Sequence, residues 1–171
     1  MATLIRNREI VSDSWRLLKP GDDGAPPAVP AAGDVVVPLA LWLAQRDALL
    51  ARSGRVGVWL DAGDEPGAIA ADTARLALIA VNFPKFGDGR GYSIARLLRE
   101  RYGYRGELRA IGDVLRDQLH FMAACGFDAF LLRPDQRGEE ALRAFDELSE
   151  HYQGTVTEPL PLFRRRAGAW A

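Results

Sequence analysis

The chain has 171 residues, 48% of them apolar and 26% charged, with a formal net charge of −1. That length suits one domain with a real core, and that composition excludes a disordered chain. The balanced charge provides no global field for nucleic acid or an anionic membrane, so neither is an expected partner.

Cys125 is the single cysteine, so no intrachain disulfide can form. With only His120 and His151 beside it, the chain has too few soft ligands for a zinc site or an iron–sulfur cluster of its own, and no metal is expected. The opening MATLIRNREIVSD lacks the long apolar core of a signal peptide. No run of about 18 apolar residues suggests a membrane span. The cytoplasm is the expected compartment.

In chain order, residues 1–20 read as N-terminal strands, with Asn7-Arg8 able to turn a short hairpin. Residues 21–33 include GDDGAPPAVPAA and read as a flexible linker. An α/β body is expected over 34–153. Its first strand is Val35–Val37, followed by a helix from Pro38 to about Arg52, with Leu39, Trp42, Leu43, Leu49 and Leu50 on one stripe. The second strand is RVGVWL at 55–60, ended by Asp61 and followed by a helix over about 65–74.

Leu78–Phe83 is the third strand, and Ser93 is placed to cap a helix running to about Tyr102. Glu107–Ile111 is the fourth strand, with Asp113 as the expected cap of a helix over 114–124. Asp128–Leu132 is the fifth, before a helix over 139–152 with Leu142, Phe145 and Leu148 inward. Residues 154–171 hold too many prolines for a helix and read as an extended tail.

About five strand–helix units with short apolar strands predict a mainly parallel sheet, preceded by the N-terminal hairpin. Strand order stays open between a doubly wound sheet and a partial TIM-barrel-like one. Oligomeric state is not legible.

Ligands of parallel α/β sheets bind beyond the carboxyl ends of the strands. Alternation places Asp61, the stretch FPKFGDGRGYS at 83–93, Asp113 and Arg133 at that edge. In the stretch, Lys85, Phe86, Gly87, Asp88, Gly89, Arg90, Gly91, Tyr92 and Ser93 form the candidate loop. Its alternate glycines let backbone N–H groups converge, and Lys85 and Arg90 add charge. That chemistry suits an oxyanion: phosphate, sulfate, sulfite or a cofactor carboxylate. The loop is neither GxGxxG with a downstream acid nor GxxxxGK[ST], so no nucleotide cofactor is identified. The competing reading is a tight turn with solvated cations. Asp113 as a base competes with Asp113 as a cap. Cys125 reads as a packing residue, His120 as structural or exposed, 116–118 as a surface face, and Arg164–Arg166 as solvated or partner-facing.

Four blocks carry a family resemblance: VPLALWL at 37–43, GRVGVWL at 54–60, the long block from Phe83 to Leu119, and GFDAFLLR at 126–133. Together they resemble a bacterial family, domain-of-unknown-function family 934. The resemblance implies a setting. Members are usually encoded beside assimilatory sulfite reductase and sulfonucleotide reductase, and carry the label of oxidoreductases in sulfite reduction. It supplies no catalytic residues. The expectation it raises is an accessory protein that binds sulfite reductase or its electron donor. The alternatives are a small oxyanion-binding enzyme using the glycine loop, and a structural subunit without a ligand.

Overall fold

The computed structural model describes residues 2–21, 23–147 and 151–168. Its eight strands are β1 (Leu4–Arg6), β2 (Glu9–Val11), β3 (Arg16–Leu17), β4 (Val35–Pro38), β5 (Val56–Leu60), β6 (Leu78–Phe83), β7 (Glu107–Gly112) and β8 (Ala129–Leu131). They form one curled, mostly parallel sheet in the order β2-β1-β8-β7-β6-β5-β4-β3. From β3 to β8 all neighbours are parallel; β1 alone runs against its neighbours.

Asn7 and Arg8 turn the hairpin with φ of 52° and 65°. Two positive φ values are what a two-residue turn needs to match strand twist. Strands β4 to β8 lie in chain order, which a doubly wound sheet does not do. When every crossover has the same hand, consecutive neighbours put their connections on one face.

Side-chain alternation agrees with that one-sided arrangement. In β6, Ile79, Val81 and Phe83 join the large core, while Leu78 and Ala80 join a small cluster on the opposite face. The large core adds Leu39 and Trp42 from α1 (Leu39–Ala51), Ile94 and Ala95 from α2 (Arg90–Arg96), and Leu119 and Met122 from α3 (Leu119–Ala124). The small cluster is covered by Trp15 and Leu17 of the N-terminal segment.

Several helices differ from expectation. Residues 66–72 form a 3-10 turn run started by Pro66, whose Asp72 is buried and accepts from the Trp42 indole at 3.1 Å. Helix α2 starts at Arg90, so Ser93 lies inside it and caps nothing; wider π turns continue it over Leu97–Arg101. The helix expected over 139–152 is shorter: α4 (Gly138–Leu142), then a 3-10 turn to Phe145. Leu148, read as inward, lies outside the described residues.

The tail is not wholly extended. Helix α5 (Leu162–Gly168) starts just past Pro161, where a proline no longer blocks a helical hydrogen bond. Arg165 pins the tail to itself through Glu158 at 2.8 Å and the His151 carbonyl at 3.1 Å. The stretch read as a linker touches the body where Arg52 donates to the Pro30 carbonyl at 3.0 Å.

Candidate functional site

The carboxyl edge of the sheet gathers the residues that the sequence assigns to it. Asp113, after β7, joins the loops after β6 and β8: one carboxylate oxygen accepts the Phe86 N–H at 2.9 Å, the other accepts from Arg133 at 2.7 Å. Asp113 therefore braces the glycine loop and does not cap a helix. The next helical turn starts only at Arg116, where Gln118 accepts the Leu115 N–H at 3.0 Å and replaces the expected cap. Asp61, after β5, accepts from the Asn82 amide of β6 at 2.9 Å.

Within the loop the charges satisfy one another. Arg90 makes two hydrogen bonds to Asp88, at 2.9 and 2.6 Å, and holds that carboxyl down at about 2. Arg133 does the same to Asp135, also held at about 2. Backbone donors turn inward too: Asp88 N–H to the Lys85 carbonyl at 3.0 Å, Arg90 N–H to Asp88 at 3.2 Å, and Tyr92 N–H to the Gly89 carbonyl at 3.3 Å. The Lys85 ammonium is exposed and has no ion pair among the described residues.

The three glycines differ in role. Gly91 is buried against the Phe83 ring, which a Cβ would meet at 2.7 Å. Gly87 and Gly89 face open space, and neither has a positive φ. The position that does need a left-handed backbone is Gly112, with φ +94°, at the end of β7. The reversal it permits lets the Asp113 N–H reach the Phe83 carbonyl at 2.7 Å.

Gln118 corrects the reading of residues 116–118 as a surface face. It is buried, and its amide lies 3.3 Å from both the Phe86 carbonyl and the Tyr92 hydroxyl. An aromatic band continues from there. Tyr92 packs edge-on against Phe121 with ring centres 4.9 Å apart, and Phe121 shares a surface hollow with Tyr152. Phe86, Phe121 and Tyr152 are exposed by 54%, 57% and 70%.

A second feature of this edge was not among the sequence candidates. Lys19, Pro20, Trp59, Asn82 and Ile111 line a cavity on the face opposite the helices. A sequence signal existed: Asn82 is the one polar residue of the strand LIAVNF, and alternation puts it on the same face as Leu78 and Ala80.

Elsewhere, Cys125 is buried as expected, and burial pushes its thiol up, away from the thiolate. His120 packs 4.5 Å from His151; burial first, and that neighbour second, push its pKa down. No group of three His, Cys, Asp or Glu side chains is placed to hold a metal among the described residues. No helix there is long and apolar enough to cross a membrane.

No curated protein and no solved structure matches the chain. The family model described as "Bacterial protein of unknown function (DUF934)" matches residues 57–163, from β5 to the start of α5, which include the whole glycine loop and its braces Asp113 and Arg133. Its span is well over half of the chain, and the protein therefore belongs to that bacterial family of unknown function.

Proposed function

We propose that the protein is an accessory of sulfite reduction that acts by holding a partner, sulfite reductase or its electron donor, rather than by reducing sulfite itself. The observation that carries this reading is a set of exposed aromatics: Phe121 on α3, packed on Tyr92 and sharing a hollow with Tyr152, and Phe86 on the glycine loop. Large exposed aromatics favour a protein surface as their counterpart, because that surface removes them from water. Beside them, Arg90 pairs with Asp88 and Arg133 with Asp135, so these charges are already neutralised within their own loops. The sulfite setting comes from the family resemblance. The curled sheet is read as a partial TIM-like barrel whose carboxyl edge faces the partner.

The test is co-purification with sulfite reductase from the same cell, using the native chain and the variants Phe86→Ser and Phe121→Ser. Association that weakens at least tenfold in both variants supports the reading. No association, together with normal sulfite reductase activity in a deletion strain, removes it.

A second reading keeps the loop as an oxyanion site, and the exposed Lys85, with no ion pair among the described residues, favours it. Sulfite, sulfate or phosphate would then raise the melting midpoint by mass action. Lys85→Ala would abolish the rise and Arg90→Ala would reduce it. If both variants respond as the native chain does, the loop is a brace and not a site.

A further inference from the structure

We propose that the cavity lined by Lys19, Pro20, Trp59, Asn82 and Ile111 binds a small planar ring compound carrying one acidic group. This site is independent of the glycine loop and of the partner surface proposed above.

Its place in the fold comes first. Trp59, Asn82 and Ile111 stand near the carboxyl ends of three adjacent parallel strands, β5, β6 and β7. Asn82 and Ile111 are register partners, and Trp59 is paired with Ala80 in the same sheet. Carboxyl ends of parallel strands are where backbone reversal opens crevices in such sheets.

The walls are held before any ligand arrives. Leu18 N–H donates to the Val36 carbonyl at 2.9 Å, fixing the segment that carries Lys19 and Pro20. The Leu18 carbonyl accepts the Trp59 indole N–H at 2.9 Å, which locks ring and segment to each other. A preformed wall reduces the ordering cost of binding.

The remaining chemistry defines the ligand. With its only N–H spent on Leu18, Trp59 offers its π surface, and Pro20 and Ile111 add apolar contact. Asn82 donates one N–H to Asp61, and its carbonyl oxygen has no donor among the described residues, so that oxygen can accept one from a ligand. The Lys19 ammonium has no ion pair or hydrogen bond among the described residues, so it supplies one cation. A ring, one acid and one donor complement that set. The cavity volume is about 220 Å³. Sites for drug-sized ligands run from about 300 to 1,000 Å³, so this one suits a single ring rather than a nucleotide.

The experiment follows the Trp59 indole N–H by NMR in the full chain, with the peak assigned from Trp59→Phe. The probes are 4-hydroxybenzoate, benzoate, neutral benzamide and inorganic sulfate. Saturable shifts are expected for both carboxylates, tighter for 4-hydroxybenzoate, with benzamide weaker by roughly fivefold or more and no response to sulfate. Lys19→Met should reduce the carboxylates to the level of benzamide while leaving the melting midpoint unchanged. The proposal is overturned if neither carboxylate gives a saturable shift up to about 20 mM, a limit corresponding to roughly 2 kcal/mol of binding. It is equally overturned if Lys19→Met binds as the native chain does, or if sulfate binds as well as benzoate.

Discussion

The two ends of the parallel sheet use the same pair of residue types for different work. At the amino end, Arg99 has a side chain only 9% exposed and spends its guanidinium on the carbonyls of Gly126, Tyr104 and Gly106, all at 2.9 Å, and on Asp128 at 2.7 Å. It stitches the helix after β6 to the entries of β7 and β8. At the carboxyl end, Arg90 and Arg133 are 64% and 41% exposed and bond mainly to carboxylates beside them in sequence. Burial separates the two cases. A largely buried arginine that binds several backbone carbonyls is part of the fold, whereas one at the rim exchanges a protein partner for water at little cost.

Arg99→Ala should break that contrast most severely, because it orphans three carbonyls and half-buried Asp128. A loss of about 3–5 kcal/mol in chemical denaturation is expected. Arg99→Lys should recover only part of it, since an ammonium cannot reproduce the planar fork. A loss under about 1 kcal/mol would mean that water serves those carbonyls equally well.

Gly91→Ala comes next and tests whether the rim owes its order to packing or to charge. The new methyl meets the ring of Phe83, itself fully buried, so a cost of about 1–3 kcal/mol is expected. An unchanged midpoint would show that the ring can move aside.

The two carboxyls sharpen the comparison through pH. Burial pushes Asp128 up, against the pull of Arg99, while Arg90 pulls Asp88 down to about 2. A raised folded pKa contributes stability that is present below the ordinary value of 3.8 and lost as pH rises through the folded value. A lowered one contributes stability present above 3.8 and lost as pH falls towards 2. Side-chain NMR titration should therefore find Asp128 above the ordinary carboxylate value and Asp88 below it. The same order in both would remove the distinction.

The smallest effect is expected from Arg90→Ala. Its melting midpoint at neutral pH should fall only slightly, because the pair is exposed, while Asp88 returns towards 3.8. A clear loss of stability would place Arg90 with Arg99 as a structural residue.

Much of the fold is legible in the sequence. Local patterns identified the Asn7-Arg8 hairpin, the strands at 35–37, 55–60, 78–83, 107–111 and 128–132, and the burial of Cys125, because apolar alternation and turn chemistry are properties of neighbours in sequence. The same alternation put Asp61, the glycine loop, Asp113 and Arg133 at one edge. What the sequence could not decide were relations between distant residues. Asp113 has the sequence position of a helix cap, and only the return of the chain from β8 brings Arg133 to it and the loop amide of Phe86 beside it. Gly91 reads like its two neighbours until the Phe83 ring lies against it. Lys19 and Asn82 lie far apart in the chain, and they line one cavity because the segment after β3 is hydrogen-bonded along β4 and to the Trp59 indole. Side-chain direction follows from sequence period, but which directions meet is set by strand order and curl, and those depend on the packing of the whole sheet.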